Sequence, residues 1–218
     1  MKRTKRTQIA WIVGIIAILA IVGLGLTACG DGGGGGGGCN ADCLAIGETG
    51  EGGGKIIYHK HSGFTVTGLG TCYYLEAAPT NQATDVTWSS THIDVTGATG
   101  TAIGTGKANT AAIIAAHPED TVTNNAAKAA AACTDGGKND WFLPSKDELN
   151  EMYKARTHLD LVLDIGFLAH FFWSSSQHHN SINFAWGHRF DEGYTTPSNK
   201  DDTLNIDGLR SVRAVRAF

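Results

Sequence analysis

The amino-terminal segment limits the possible folds most, because an uncharged apolar run of this length cannot be an exposed part of a soluble domain. Residues 9–26 are almost wholly apolar and carry no charge, whereas four of the five residues at 2–6 are basic. Small residues follow the run at 27–28. A basic start, an apolar core and a small-residue exit are typical of a secretory signal. We therefore expect residues 1–28 to direct export and the folded part of the protein to follow them.

The exit from this run reads Leu26-Thr27-Ala28-Cys29 and resembles the lipobox of bacterial lipoproteins, where cleavage occurs just before a cysteine that carries lipid. The resemblance implies a lipid anchor on Cys29, with more than one acyl chain and hence stable membrane attachment. A membrane-spanning anchor is the alternative, because the run is long enough to cross a bilayer; the position of Cys29 favours the lipoprotein. Gly30 follows in place of the aspartate of the common inner-membrane retention signal. We expect a lipid-anchored protein of the bacterial outer membrane, displayed on the cell surface.

The charge of the exported chain argues against a nucleic-acid partner. Cleavage before Cys29 would leave 190 residues, which suits one domain and a tether. All 21 acidic residues remain, but four of the 17 basic residues are lost, so the net charge falls from −4 to about −8. A protein of this charge is poorly suited to nucleic acids or other polyanions, which need basic patches.

Four cysteines remain after Cys29, at Cys39, Cys43, Cys72 and Cys133. An even number in an oxidising compartment predicts disulfides. Four cysteines allow three pairings, and we prefer Cys39 with Cys43 and Cys72 with Cys133. A zinc site is the alternative, but no CxxC pair supports it, and we predict no metal and no cofactor.

A glycine-rich tether separates the lipid anchor from the folded domain. Residues 30–38 are glycine except for Asp31, and such a segment is flexible. We assign residues 29–43 to the lipidated cysteine and tether, and residues 44–218 to one domain. In that domain β-forming residues predict strands, and alanine-rich runs predict helices. The predicted strands are 55–59, 71–77, 171–174, 184–190 and 211–218; the predicted helices are 109–116 and 124–133. The mixed order favours an α+β fold.

A third helix is predicted from a capping box at Ser145 and Glu148. The serine hydroxyl can accept from the backbone N–H of the third helical residue, and the glutamate can return to the cap. Leu149, Met152 and Tyr153 then lie on one apolar face. Trp141 and Trp173 are predicted to be core residues.

Six short motifs in order resemble the Lcl C-terminal domain family over residues 44–218. These landmark motifs are IGETGEGGGKIIY at 46–58, LEAAP at 75–79, IGTG at 103–106 with NT at 109–110, DWFLPSKDEL at 140–149, WSSS at 173–176 and VRAVRAF at 212–218. The resemblance implies a C-type-lectin-like fold. It does not imply sugar binding, because function depends on the site and not on the fold.

A lipoprotein with such a domain, ending in a polar segment and VRAVRAF, also resembles the variable proteins of diversity-generating retroelements. Those systems rewrite adenines, mostly in Asn codons, which cannot then produce Lys, Glu, Gln, Trp or Met. Between residues 178 and 210 only Trp186, Glu192 and Lys200 belong to that excluded set. The resemblance implies a variable region at 178–210. A polar loop region between strands is the alternative, since loops also favour Asn, Asp, Ser and Gly.

We predict a recognition module and not an enzyme, because the sequence contains no catalytic constellation. Short polar side chains with tyrosine and tryptophan resemble the contact residues of antibodies. Trp186 is predicted to form the floor of the binding surface. The expected ligand is an extracellular protein or glycan. Arg213 and Arg216 are expected to be structural and to pair with acids. The predicted ligand-binding residues are His178, His179, Asn180, Ser181, Asn183, Trp186, His188, Asp191, Tyr194, Asn199, Asp201, Asp202 and Asn205.

Two other functions remain open from the sequence. A glycan-binding adhesin of fixed specificity is the first, although the negative charge disfavours polyanionic glycans. A periplasmic enzyme is the second and less favoured. Histidines at 170, 178, 179 and 188 could bind a metal, but adjacent histidines on a strand point to opposite faces, so surface polar residues are the preferred interpretation.

Overall fold

The computed structural model of the protein describes residues 44–159, 171–202, 204–205 and 208–218. The predicted signal peptide and tether, with Cys29, Cys39 and Cys43, lie outside these ranges, as does His170. No helix within the described ranges has the length and apolar character needed to cross a membrane.

The described chain combines strands and helices, in agreement with the α+β prediction. The strands are β1 (Lys55–Val66), β2 (Gly70–Ala77), β3 (Phe171–Gln177), β4 (Phe184–Arg189), β5 (Tyr194–Asn199), β6 (Leu204–Asn205), β7 (Gly208–Ser211) and β8 (Val215–Ala217). The helices are α1 (Gly106–Ala116), α2 (Ala126–Ala131) and α3 (Lys146–Lys154).

The strands form two sheets. The first has the order β1-β2-β8, with antiparallel pairing throughout. The second has the order β5-β4-β3-β7-β6, in which β3 and β7 are parallel and the other neighbours are antiparallel. Strand β8 pairs with β2 in the register Leu75 to Ala217, so the end of the described chain completes the sheet that its first hairpin begins.

Two clusters of buried side chains form the core. One includes Trp88, Ile113 and Trp173 and is contributed by α1, α2, the second sheet and the segments that connect the elements. The other includes Leu75, Phe142 and Met152 and lies between the first sheet and α3. Trp141 and Trp173 are both buried, which confirms that they are core residues.

The capping box of α3 is confirmed in both directions. The Ser145 hydroxyl accepts from the Glu148 N–H, and the Glu148 carboxylate accepts from the Ser145 N–H at 2.7 Å. The second Glu148 oxygen accepts from the N–H of Gly104 at 2.7 Å. Burial raises the pKa of Glu148 to about 7. This carboxyl therefore joins the start of α3 to the loop before α1.

The landmark motifs contact one another in the core. The Ser175 N–H donates to the Pro144 carbonyl at 2.7 Å, and the Lys146 N–H donates to the Ser176 hydroxyl at 3.0 Å. Phe142 forms a two-way backbone bridge with Val215. These hydrogen bonds give the motifs a structural role, because they hold distant parts of the domain together.

The two arginines of the last landmark motif are structural, in different ways. Arg216 pairs with Asp140 at 3.0 Å and with the fully buried Glu76 at 3.2 Å. Arg213 donates to the carbonyl of Ala78 and to the Asn81 side chain. The expectation of acidic partners therefore holds for Arg216, whereas Arg213 uses neutral oxygen atoms.

The predicted bond between Cys72 and Cys133 is wrong for this structure, since both residues are free thiols. Cys72 is buried in the cluster with Leu75, and Cys133 in the cluster with Trp88. Burial raises the pKa of both thiols, that of Cys133 to about 11. An even cysteine count could not show that these two side chains fill separate cores.

Candidate functional site

Strands β4 and β5 form a hairpin within the segment that was predicted to vary. The hairpin pairs Phe184 with Asn199 at one end and Arg189 with Tyr194 at the other. Because each strand residue advances about 3.3 Å, the two ends lie about 17 Å apart. The predicted ligand-binding residues therefore do not form one compact group but fall mainly at two ends of one hairpin.

At the first end, five side chains form what we name the Trp186 surface: Lys146, His178, His179, Phe184 and Trp186. The Lys146 ammonium lies 4.3 Å from the Trp186 ring centroid. The His178 ring lies 4.9 Å from the Trp186 ring and stacks on His179. Phe184 precedes Trp186 by two positions, on the same face of β4, and is 38% exposed. Trp186 is half-buried, so Lys146 and His178 cover part of the predicted floor.

The loop between β3 and β4 places the predicted polar contacts beside this surface. His179, Asn180 and Asn183 are exposed, and Ser181 is half-buried. The Asn180 N–H donates to His178 Nδ1 at 3.3 Å. Burial first, then the charges of His179 and Lys146, hold the pKa of His178 below its ordinary value. The neutral His178 ring then carries its proton on Nε2.

At the second end, Asp191 and Tyr194 are exposed. Asp191 pairs with Arg189 at 3.2 Å, and Glu192 also pairs with Arg189 at 3.1 Å. This turn is a second exposed group and does not extend the Trp186 surface.

His188 does not have the exposed position that was expected for a ligand contact. It is 2% exposed and its ring lies 4.5 Å from that of Tyr153 on α3. Its Nδ1 lies 3.1 Å from the Thr195 hydroxyl. Burial lowers the pKa of His188 to about 4. Its strand face was predicted correctly, but α3 covers this end of the face.

The last predicted residues lie around the end of β5. Asp201 is exposed and Asn199 is half-buried. Asp202 pairs with the buried Arg210 at 3.0 Å, so we assign Asp202 a structural role. The side chain of Asn205 lies outside the described part of the structure.

Lys200 is a buried anchor that sequence reasoning left without a role. Its side chain is fully buried, and the ammonium donates to the carbonyl of Ile93 at 2.9 Å and to Gln177 Oε1 at 2.7 Å. It also lies 4.4 Å from the Trp88 ring centroid. Burial lowers the pKa of Lys200 to about 8. This residue joins the end of β5 to the segment that follows Trp88.

That segment brings two further residues to the first end of the hairpin. His92 Nε2 lies 3.3 Å from Asp201 Oδ1, and Ile93 is 41% exposed. Neither was predicted, because the segment is some 85 positions away from the hairpin in sequence. Lys146 was also missed, because its position in the sequence indicates only the start of a helix.

The described residues contain no group of side chains arranged to hold a metal ion. Two surface clefts lie away from the hairpin. One, of 460 Å³, is lined by residues 82–86, 122–123, 129 and 132–133. The other, of 350 Å³, lies between the first strand and the end of α3. Neither contains a predicted ligand-binding residue.

Comparison with known proteins identifies the domain by its family. No curated protein matches the chain at a significant level. A model of the Lcl C-terminal domain family matches residues 78–216, which is more than half of the chain. The chain therefore belongs to the Lcl C-terminal domain family.

Proposed function

We propose that this protein is a lipid-anchored recognition module at the bacterial surface, with a hairpin segment that a retroelement diversifies to change its ligand. The exposed positions of the segment carry the proposal. Between His178 and Asp202, Glu192 is the only exposed side chain of a type that Asn-codon mutagenesis cannot produce. Two side chains there are fully buried, those of Ala185 and Lys200, and Lys200 belongs to that excluded set.

The arrangement around the hairpin suits a fixed framework with changeable contacts. Every residue of β3 is buried, and the landmark motifs on both sides of the segment are each hydrogen-bonded to the 140–149 motif. Replacement of an exposed loop side chain such as Asn180 would leave these contacts in place. Exposed positions usually tolerate substitution with changes within about ±0.5 kcal/mol.

We extend the proposal to the fold and the anchor on the basis of resemblance. The family implies a C-type-lectin-like fold, and the Leu26-Thr27-Ala28-Cys29 sequence implies lipid on Cys29. The absence of Asp at position 30 supports the outer membrane. A surface-exposed binding domain on a glycine tether would meet extracellular proteins or glycans.

Population sequencing tests the diversification. We expect substitutions among clonal isolates to concentrate between residues 178 and 210, at adenine positions, with Trp186, Glu192 and Lys200 unchanged. A reverse transcriptase gene and a near-copy of this coding segment should lie beside the gene. Substitutions spread evenly over residues 44–218 would contradict diversification and leave an adhesin of fixed specificity.

Fatty-acid labelling tests the anchor separately. The wild-type chain should incorporate labelled fatty acid, and Cys29→Ala should accumulate as an unprocessed, unlabelled precursor. Label retained on Cys29→Ala would rule out this lipidation site.

A further inference from the structure

The ammonium of Lys146 has no carboxylate partner in the described part of the chain. Lys138, Lys154, Arg189, Arg210 and Arg216 each have an ion pair with a carboxylate there. Lys146 instead lies over the Trp186 ring at 4.3 Å. Its side chain is partly exposed, so the charge is held at a fixed place and remains available to a ligand.

His178 adds a hydrogen-bond donor next to this charge. Its Nδ1 is occupied by the N–H of Asn180, so the neutral ring directs an N–H from Nε2. That atom has no partner among the described residues. The Lys146 ammonium and the His178 ring both contact the Trp186 ring. An ammonium and an imidazole N–H beside one indole ring can together meet an anionic group.

The backbone at the start of α3 does not form an anion site of its own. The N–H of Lys146 donates to the Ser176 hydroxyl, that of Asp147 to the Thr101 carbonyl, and that of Glu148 to the Ser145 hydroxyl. Recognition of an anion here therefore depends on side chains alone, and the anion must be a small group. Asp147 is the neighbouring carboxylate on α3, is exposed, and restricts the positive region further.

The surroundings favour a protein ligand over a polyanion. Ile182 and Phe184 are 47% and 38% exposed, and exposed apolar side chains beside a charged group are typical of protein contacts. The exported chain would have a net charge of about −8, which opposes nucleic acids and sulfated glycans. A ligand with a single carboxylate flanked by apolar side chains matches both the exposed apolar residues and the negative charge of the chain.

We infer that the Trp186 surface binds a carboxylate side chain of an acidic, partly apolar protein segment, with Lys146 as the constant charge contact. The inference rests on the proposed recognition function and names the chemistry of its ligand. Lys146 lies outside the 178–210 segment, so the preference for acidic ligands persists in versions of the protein that carry another residue at position 178.

Selection from a random peptide library against the full mature chain tests this inference. Peptides retained by the wild type should be enriched in Asp and Glu next to apolar residues. Replacement of the acid by its amide in a selected peptide should weaken binding about tenfold, the scale of a lost charge contact. Lys146→Met should weaken the acidic peptide to a similar extent and leave the amide peptide unchanged. Lys146→Arg should retain the preference.

Lys60→Met is the matched control, because Lys60 is exposed on β1 and is not part of the Trp186 surface; it should bind like the wild type. Thermal unfolding of each variant checks that the fold is intact. Equal retention of acidic and amide peptides, an unchanged preference in Lys146→Met, or no peptide retained at all would overturn the inference. The proposed function is judged separately by the position of natural substitutions, so the two can fail independently.

Discussion

At the scale of single residues, exposure depends on what lies opposite a side chain and not on its type. The alternation of β4 places Phe184, Trp186 and His188 on one face, as the pattern predicts. Along that face the side chains change from 38% exposed at Phe184 to 2% at His188. Tyr153 of α3 causes the change, and no local sequence signal shows how far a distant helix extends over a strand.

His188 should make the domain sensitive to acid. Burial lowers its pKa from 6.5 to about 4, so between these values the unfolded chain binds the proton more readily, and stability falls as the pH decreases. His188→Leu should lose this part of the pH dependence. Urea unfolding at pH 7 and pH 4.5 measures it. His179→Leu, at an exposed position, should show the same fall in stability between pH 7 and pH 4.5 as the wild type. If His188→Leu shows that same fall, the assignment to His188 is contradicted.

The residues expected to remain fixed should differ in their cost of replacement. Lys200→Met would leave the Ile93 carbonyl without its Lys200 donor and Gln177 Oε1 with only the Val95 N–H, and should cost about 2–4 kcal/mol. Glu192→Gln removes only an exposed ion pair and should cost less than about 1 kcal/mol. Chemical denaturation of both variants gives the comparison. Similar values for the two would show that Lys200 is not an anchor.

At the scale of secondary structure, elements with local signals were predicted well. The capping box and apolar face of α3 were predictable because their interactions span three or four residues. Strand β5 was missed because Tyr194–Asn199 is polar, contains Pro197 and is held by pairing with β4. The predicted strand 211–218 divides between β7 and β8, since the chain changes from one sheet to the other at 212–214. A uniform pattern of apolar and basic residues cannot show this change of partner.

The buried carboxyl of the α3 cap should give a pH dependence of the opposite sign to that of His188. Burial raises the pKa of Glu148 from 4.5 to about 7. The folded chain therefore binds the proton more readily between these values, and stability falls as the pH rises through them. Glu148→Gln should remove this slope and cost about 1–3 kcal/mol, because its NH₂ would oppose a backbone N–H.

Ser145→Ala is the matched control for this prediction. Loss of its hydroxyl should cost about 1 kcal/mol as a lost helix cap, while the slope due to Glu148 remains. Urea unfolding from pH 5 to pH 8 separates the two effects. A slope that persists in Glu148→Gln would assign it to another group.

At the scale of the whole molecule, the proposed binding surface is assembled from distant parts of the chain. The sequence predicted its polar hairpin from composition, but Lys146, His92 and Ile93 come from α3 and from the segment after Trp88. Their proximity depends on tertiary contacts, such as the bond from Lys200 to the Ile93 carbonyl. The landmark motifs were recognisable one by one, whereas their mutual hydrogen bonds required the fold.

The separate positions of the two core thiols give a further test at this scale. Cys72 and Cys133 should both be labelled by an alkylating reagent when the mature chain is denatured without reductant, and be protected while it is folded. Peptide mass spectrometry reads both states. A Cys72–Cys133 linked peptide from the unreduced sample would restore the disulfide and contradict the free thiols.

The pairing of β8 with β2 also couples folding to the reading frame. The codons for residues 178–210 precede those for β8, so the loss or gain of one base there would change every residue that pairs with Leu75 and Glu76. Glu76 would then lose Arg216, and a buried charge without its partner costs about 3–5 kcal/mol. A frameshifted copy would leave the first sheet incomplete and the chain open to proteolysis. If a retroelement rewrites the segment as proposed, completion of the fold would act as a check that each copy has kept its frame.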